Sequence, residues 1–361
     1  MYGSALFFKR TLCVLLVVLL VLLLIVGGYV LYLVLDYSRI EDRTPLEVSG
    51  GATEAMRIGE SYTALTYNVG FGAYTPDFTF FMDGGTESRA KSRDSVLSVM
   101  GGILGLSKDE DADLYLFQEV DEDADRSHHV NERALLSGGF PSFDAVFALN
   151  YHSSYLFYPL TEPHGASDAG LLTLSRYRVT SSLRRSLPIS TSVSKFLDLD
   201  RCYSVSRIPV EGGRELVVYN VHTSAYGGSD EIRTAQMTML LSDMAAEYAA
   251  GNYCIAGGDF NHDLTGDSTL LFNGEASDYG WAQPFPAELL PEGIRRAVSY
   301  TGDPVPTCRN CDVPFGEGCM TLIVDGYLVS DNVAVESVEN LDIGFRYSDH
   351  NPVRLVFTLL P

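Results

Sequence analysis

Six short apolar runs, each with a polar side chain at or near its end, constrain the fold of this chain more than any other feature. In chain order they are LTYNV (65–69), FQEV (117–120), YNVH (219–222), GGDFN (257–261), IVDG (323–326) and YSDHNP (347–352). Apolar runs of this length, rich in aromatic and β-branched residues, are typical of buried strands. Polar groups at the ends of several strands converge where binding and catalytic residues commonly lie. The sequence therefore predicts a sheet-rich domain with one polar site.

The polar residues of these runs form a chemically coherent set. They are Asn68, Glu119, His222, Asp259, Asn261, Asp325, Asp349 and His350. Together they offer hard oxygen ligands, two imidazoles and several carboxylates. This set is suited to metal-assisted hydrolysis of a phosphate ester.

In order, spacing and identity, the six runs resemble the endonuclease/exonuclease/phosphatase superfamily, over residues 62–357. Its members include deoxyribonuclease I, abasic-site endonucleases, neutral sphingomyelinases and inositol-phosphate phosphatases. The alternation of strands and helices by itself predicts a layered α/β domain. The resemblance implies more specifically a four-layer α/β sandwich, in which two packed mixed β-sheets are flanked by helices. It also implies a hydrolase that uses Mg²⁺ or Mn²⁺.

Three of the polar residues are predicted to serve the metal ion. The resemblance places the family's metal-binding glutamate at Glu119. Asn68 is predicted either as a neutral oxygen ligand or as a hydrogen-bond partner of metal-bound water, and Asp349 is predicted beside the metal or the attacking water. Oxygen ligands of this kind select Mg²⁺ or Mn²⁺ over zinc.

The remaining polar residues are predicted to act on the phosphate and the water. The resemblance implies that His222 binds the scissile phosphate and stabilises its developing charge. Asp259 is predicted to orient or deprotonate the water, and Asn261 to hold a phosphate oxygen. His350 can accept or relay a proton near neutral pH. The resemblance implies that Asp325 orients this ring and fixes its tautomer. The sequence does not identify which carboxylate is the base.

Four further residues are weaker candidates. Asp168 precedes a strand and could approach the substrate, although it could equally cap a loop. Arg126, His128 and His129 follow the Glu119 strand and could reach a phosphate, but nothing in the sequence fixes their direction.

The N-terminal region predicts a membrane anchor. Residues 11–35 carry no charge and are long enough to cross a bilayer as a helix. Lys9 and Arg10 precede them, which favours a cytoplasmic N-terminus and an extracytoplasmic catalytic domain. We expect residues 1–36 to form the cytoplasmic stub and single-pass anchor, 37–60 a linker and 61–361 the catalytic domain. A cleaved signal peptide is the alternative, but the run is longer than usual and lacks a small-x-small cleavage site.

Charge narrows the choice of substrate. The net charge of −22 opposes tight, processive binding of long nucleic acids, although a divalent metal can supply local positive charge. The predicted function is therefore a metal-dependent phosphodiesterase acting on nucleic acid, a phospholipid or a small phosphodiester. A phosphomonoesterase and a catalytically inactive surface-binding module of the same fold are the alternatives. No protein partner is implied.

A cluster of cysteines precedes the Asp325 run. On an exported domain we expect at least one disulfide among Cys308, Cys311 and Cys319. Free thiols and half of a zinc site are the alternatives, and a complete zinc site would need a fourth ligand.

Overall fold

The computed structural model describes residues 2–190, 200–225, 229–274, 281–299, 304–316 and 318–361. It divides into two compact units, Met1–Arg39 and Ile40–Pro361. The first contains one helix, α1 (Tyr2–Asp36). Its segment Phe7–Asp36 has a mean hydropathy of 3.2, and its apolar side chains are exposed. By length and composition this helix fits a membrane anchor or a signal sequence.

The second unit is built on two seven-stranded mixed sheets. In spatial order, the first sheet contains β1 (Thr44–Leu46), β7 (Ser181–Ser186), β8 (Cys202–Pro209), β9 (Glu215–His222), β10 (Tyr253–Asp259), β16 (Asp325–Ser330) and β13 (Ile294–Ala297). The second contains β17 (Val333–Asn340), β18 (Val353–Leu359), β3 (Ser61–Asn68), β4 (Leu114–Ala124), β6 (Gly165–Ser175), β5 (Asp144–Leu156) and β2 (Val48–Ser49). Two short ribbons pair β11 (His262–Asp263) with β12 (Gln283–Pro284), and β14 (Cys308–Arg309) with β15 (Thr321–Leu322). The strands β1 and β2 lie inside the segment 37–60 that the sequence predicts as a linker.

Helices cover the outer faces of the two sheets. They are α2 (Arg93–Glu110), α3 (Glu132–Gly139), α4 (Asp230–Ala249) and the short α5 (Ser268–Asn273). Helix α2 packs Val96, Met100 and Ile103 against the second sheet. Helix α4 packs Met237 and Leu240 against the first. The order helix, sheet, sheet, helix confirms the predicted four-layer sandwich.

The two sheets bury a shared core. Leu116 and Leu355 of the second sheet pack with Val218 and Ile255 of the first. Because side chains alternate along a strand, these strands place every second residue between the sheets and the others under the helices. The face between the sheets therefore becomes polar only where the sequence places a polar residue at the matching position.

One such polar position links the sheets close to the site. Asn220 of β9 accepts a hydrogen bond from the Nε2 of Gln118, at 2.8 Å, and donates to the carbonyls of Phe117 and Leu172, each at 3.2 Å. Both polar side chains are fully buried. Their satisfied hydrogen bonds fix how the strands of one sheet lie against the other.

Candidate active site

Three predicted site residues form one row across the first sheet. His222 of β9 lies opposite Asp259 of β10, and Asp259 lies opposite Asp325 of β16. Residues in one row of neighbouring strands are neighbours on the same face. The alternation of each strand turns this row toward the second sheet, since Val218 and Ile255, four residues before His222 and Asp259 on the same strands, face that way.

His350 completes the row from outside the sheet. Its Nδ1 lies 2.7 Å from Oδ2 of Asp325, and its Nε2 lies 3.8 Å from Oδ2 of Asp259. Burial lowers the pKa of His350, but the charge of Asp325 and the neighbouring acidic groups raises it well above the usual value. Burial raises the pKa of Asp325 to about 6 against the opposing charge of His350. The ring therefore holds a proton on Nδ1 and donates it to the Asp325 carboxylate.

His222 has the opposite electrostatic character. Burial, together with the positive charges of Arg201, His350 and Arg126, lowers its pKa well below the usual value. Its Nε2 lies 3.3 Å from Oδ2 of Asp259, so a neutral ring with its proton on Nε2 donates to that carboxylate. The two histidines therefore differ in their surroundings, which lower the pKa of His222 and raise that of His350.

A β-bulge places Glu119 in the site. The pairing of β4 with β6 shifts register between Phe117 and Val120, and Glu119 has a φ of 55°. Strict alternation would direct Glu119 under the helices, beside Tyr115 and Phe117. The bulge instead brings its Oε1 to 3.9 Å from Nε2 of His222. A bulge is a common device for re-aiming a side chain at a functional site.

Asn68 connects Glu119 to the row. Its Nδ2 donates to Oε1 of Glu119 at 3.2 Å and to Oδ2 of Asp259 at 3.1 Å. Its Oδ1 accepts from the backbone N–H of Gly70 at 3.0 Å. The amide oxygen is thus already engaged. In this orientation Asn68 holds two carboxylates in place, and its predicted roles toward a metal ion or metal-bound water stay predictions.

The hydroxyl of Ser348 links Asp349 to Asn68. Ser348 donates to the carbonyl of Asn68 at 2.7 Å, and its Oγ lies 3.1 Å from Oδ1 of Asp349. Gly70 lies against the same carboxylate, with a φ of 53°, and a Cβ there would lie 3.0 Å from Oδ1. The absence of a side chain at Gly70 allows Asp349 to pack this closely.

The carboxylates Glu119 and Asp349 fit a hard cation. Burial is the main cause that raises the pKa of Glu119, and the charge of Asp349 adds to it. Two neighbouring carboxylates that repel each other in a low-dielectric site gain from a divalent cation between them. Their oxygens are the donors that Mg²⁺ and Mn²⁺ prefer.

A second group of potential ligand atoms consists of Asp259, Asp325 and His350, all within 4.8 Å of one another. This buried group could hold a metal. However, Oδ2 of Asp325 already accepts from Nδ1 of His350. The hydrogen bond makes a proton-carrying pair the better description of those two residues.

Asn261 follows the row on a sharply turned backbone. It has a φ of 46°, its N–H donates to Oδ1 of Asp259 at 2.9 Å, and its Nδ2 donates to the carbonyl of Thr223 at 2.9 Å. Gly258 has a φ of 156°, and a Cβ there would lie 2.0 Å from the carbonyl oxygen of Val221. A left-handed residue beside a close backbone approach is the kind of local strain that gathers at functional sites.

Six of the eight predicted site residues line one cavity of about 300 Å³, and Asn68 and Asp325 lie behind them as hydrogen-bond partners. Its polar floor includes Glu119, His222, Asp259, Asn261, Asp349 and His350. Its wall is mainly aromatic, formed by Phe71, Tyr74, Phe80, Phe81, Tyr158 and Trp281. A largely apolar cavity with a few converging polar groups is the usual form of a ligand site.

Of the four weaker candidates, one lies at the cavity and three are bound elsewhere. Arg126 lines the cavity, but its guanidinium binds Asp121 at 2.8 Å and stacks 4.0 Å from the ring centre of Phe71. His128 bonds to the carbonyl of Ala90, and its neighbour His129 bonds to Asp123. Asp168 pairs with His152 at 2.5 Å. Of the four, only Arg126 lines the cavity.

The predicted disulfide is wrong for this structure, in which Cys308, Cys311 and Cys319 all have free thiols. The sulfurs are engaged in different directions. Cys308 lies against the His350 ring, Cys311 lies 3.9 Å from Oδ2 of Asp349, and Cys319 lies 3.3 Å from the carbonyl of Asn310. Burial raises the pKa of the Cys308 thiol to about 12, so it stays protonated beside the site.

Several cavity residues were not predicted from the sequence. Arg201, Arg309, His164 and Trp281 all line it, as does the aromatic wall. None of them ends an apolar run, whereas the predicted residues do. The only available hint was the polar composition of the segment around Arg309.

The fold is shared with several solved structures. The endonuclease/exonuclease/phosphatase from Beutenbergia cavernae aligns with a TM-score of 0.54 and 16% identity, covering 83% of this chain and 72% of that one. The corresponding protein from Bacteroides vulgatus aligns with a TM-score of 0.52 and 18% identity, covering 83% and 99%. ANGEL2, a 2',3'-cyclic phosphatase, in complex with adenosine-2',3'-vanadate, aligns with a TM-score of 0.54 and 15% identity, covering 89% and 99%.

Sequence comparison agrees with the shared fold. A search of the curated proteins finds no match. The model of the endonuclease/exonuclease/phosphatase family, in contrast, matches residues 65–350, from the first strand-end motif to His350. This range includes every residue described above at the floor of the cavity. The chain belongs to the endonuclease/exonuclease/phosphatase family.

Proposed function

We propose that this protein is a metal-dependent hydrolase of phosphate esters, best suited to a phosphodiester, and that α1 holds it at a membrane. One observation carries the proposal. A single cavity joins the carboxylates Glu119 and Asp349 to two histidines of opposite electrostatic character, His222 and His350. Phosphate-ester hydrolysis needs these two elements, a cation site and proton-bearing groups, side by side.

We assign the metal to Glu119 and Asp349. Asn68 would hold Glu119 in place through the hydrogen bond described above. When bound, Mg²⁺ or Mn²⁺ supplies positive charge to the phosphate and lowers the pKa of bound water.

We assign the attacking water to Asp259. Its Oδ2 accepts from Asn68 and lies near His222, while its Oδ1 accepts from the backbone of Asn261. These contacts fix the carboxylate, which suits a group that must orient a water or take its proton. Asn261 retains a second amide hydrogen, since only one can point at Thr223, and this hydrogen is assigned to a phosphate oxygen.

We propose that the two histidines stabilise the negative charge that develops on the phosphate. Nε2 of His350 is the ring atom left free by the bond from Nδ1 to Asp325, and it carries a proton in the cationic ring. Nε2 of His222 carries the proton of its neutral ring, which we assign to Asp259 in the free enzyme and to the phosphate when the substrate is bound. Donors held rigidly in a dry site stabilise such charge without reorganising.

The cavity wall favours a diester over a monoester. Phe80, Phe81 and Tyr158 line the same cavity as the polar residues. An aromatic wall accommodates the second ester group of a diester, a group that a monoester lacks.

The test uses the full-length chain in detergent. Turnover of bis(p-nitrophenyl) phosphate is compared with that of p-nitrophenyl phosphate, with Mg²⁺, with Mn²⁺ and with EDTA. We expect the diester to be hydrolysed faster, and EDTA to abolish the activity reversibly. Preferential turnover of the monoester would favour a phosphomonoesterase. No turnover of either ester with either metal would favour the inactive binding module.

A further inference from the structure

The row formed by His222, Asp259 and Asp325 continues across the first sheet to β7, which contacts the first residues of the second unit. His222 lies opposite Cys202 of β8, and Cys202 lies opposite Ser186, the last residue of β7. Neighbouring strands are about 4.8 Å apart, so the backbone of Ser186 lies about 10 Å from that of His222. Both residues lie at the same edge of the first sheet, the edge that carries His222 and Asp259, which we call the catalytic edge.

Ser186 holds the start of the unit. Its Oγ donates to the carbonyl of Ile40 at 3.0 Å, and its N–H donates to Oδ1 of Asp42 at 2.9 Å. From there the chain runs into β1, in which Thr44 lies opposite Arg184 and Leu46 lies opposite Ser182. Residues 40–43 are therefore fixed at the catalytic edge of the sheet and lead away from it.

Very little chain separates this point from the apolar helix. Helix α1 ends at Asp36, and the second unit begins at Ile40. Even fully extended, residues 36–40 span no more than about 14 Å. If α1 spans a bilayer, this short connection tethers the start of the second unit to the membrane.

Four exposed apolar side chains belong to the two segments that line the cavity around Met82 and Tyr158. We call Met82, Phe157, Tyr158 and Leu160 the apolar rim; their exposed fractions are 49%, 52%, 68% and 84%. Met82 and Tyr158 line the cavity itself, and the ring of Tyr158 lies 5.8 Å from that of Phe81. Large apolar residues exposed together beside a ligand site mark an interaction surface.

We propose that the apolar rim rests on the bilayer that α1 spans, so that the cavity takes its phosphate ester from the head group of a lipid in the adjacent leaflet. This inference rests on the proposed function and on α1 remaining attached. Two independent features support it, the entry of the tether at the catalytic edge and the exposed apolar groups of the segments that line the cavity. The net charge of −22 favours a zwitterionic or neutral lipid, because an anionic surface would repel the chain.

The first experiment measures contact with lipid and needs no activity. The chain has one tryptophan, Trp281, so the Trp281→Phe variant has no tryptophan fluorescence. In it, Leu160→Trp reports on the rim. Leu360→Trp is the matched control, because Leu360 lies at the far end of the sheet from the site. The Leu360 carbonyl accepts a hydrogen bond from Tyr253, the first residue of β10, whereas Asp259 is the last. The full chain is placed in phosphatidylcholine nanodiscs with ordinary or brominated acyl chains, and mass spectrometry confirms that α1 is present.

We expect brominated lipid to quench the Leu160→Trp emission and to leave the Leu360→Trp emission unchanged. Equal quenching of the two, or none at Leu160→Trp, would overturn the inference whether or not the protein is an enzyme.

The second experiment measures selective loss of turnover. The double variant Phe157→Ser, Leu160→Ser is compared with wild type and Leu360→Ser on bis(p-nitrophenyl) phosphate and on nanodiscs that contain phosphatidylcholine and sphingomyelin. Loss of apolar burial at the rim should lower hydrolysis of the lipid by about tenfold or more and leave the soluble diester unaffected. Hydrolysis of the soluble diester or of DNA by wild type, without hydrolysis of either lipid, would overturn the inference and leave the proposed function intact. Undiminished lipid turnover by the double variant would also overturn it.

Discussion

Nδ1 of His350 donates to Oδ2 of Asp325 across 2.7 Å, and both residues are buried. The bond fixes the tautomer of the ring and leaves Nε2 directed at Asp259 and the cavity. The two residues come from different elements, since Asp325 opens β16 and His350 precedes β18. A carboxylate that orients a histidine in this way makes the pair function as one unit.

The first prediction follows from that unit. Asp325→Asn and His350→Gln should each lower kcat by about 10²–10⁴, because each removes proton-bearing stabilisation of the transition state. The double variant should lose little more than either single variant. His152→Gln is the matched control, since His152 pairs with Asp168 outside the cavity and should not affect kcat. Additive losses in the double variant, with all proteins folded by circular dichroism, would show that the residues act separately.

The second prediction concerns metal binding without turnover. Because Mg²⁺ would bind only the folded site, a concentration 100 times its Kd should stabilise the protein by about 2.7 kcal/mol and raise its melting temperature. Glu119→Gln should lose most of this stabilisation. Glu122→Gln changes a more exposed residue of the same strand and should retain it. An equal response of the wild type and Glu119→Gln to Mg²⁺ would remove Glu119 from the metal site.

The third prediction concerns a buried histidine in the cavity wall. Burial, with the positive charge of Arg126, lowers the pKa of His164 to about 4, and its Nδ1 bonds to the carbonyl of Ser88 at 2.7 Å. The unfolded chain, with a histidine pKa near 6.5, binds a proton that the folded protein does not. Stability contributed by neutral His164 is therefore present above pH 6.5 and declines as the pH falls toward 4.

Urea unfolding at pH 7.5 and pH 5 tests this. Between these values the wild type should lose about 2 kcal/mol more than His164→Asn, which keeps a donor for the Ser88 carbonyl but cannot titrate. The same pH dependence in both proteins would show that His164 is not responsible.

The fourth prediction concerns the backbone beneath Asp259. Gly258→Ala places a Cβ 2.0 Å from the Val221 carbonyl at a φ of 156°, so it should cost about 1–3 kcal/mol or more. Gly105→Ala, in α2 with open space around it, should instead be neutral or stabilise by about 0.5–1 kcal/mol. Thermal unfolding of the two variants measures the difference, and similar melting temperatures would contradict the close approach.

The fifth prediction concerns the N-terminal helix. If α1 is an uncleaved anchor with its N-terminus in the cytoplasm, protease added outside the cytoplasmic membrane should digest the second unit. A cytoplasmic marker protein should stay intact in the same sample. Complete protection of the second unit under these conditions would contradict the proposed topology, and a mature chain beginning after residue 36 would show a signal peptide.

The sequence by itself determined the fold class and most of the cavity floor, because buried strands are apolar and their polar ends stand out against them. His222 and Asp259 of the floor could be predicted in this way, and so could Asp325, which bonds to His350. Strand alternation placed all three on the same side as Val218 and Ile255.

Only the tertiary structure decided the position of Glu119 and the charge of the two histidines. Alternation alone would direct Glu119 under the helices, and the bulge at Phe117–Val120 reverses this because it adds one residue to the strand. His222 and His350 look alike in the sequence, but one is buried near positive charges and the other against Asp325. The cavity wall and the proximity of Ile40 to the catalytic edge depend on contacts between residues far apart in the chain, which no local pattern encodes.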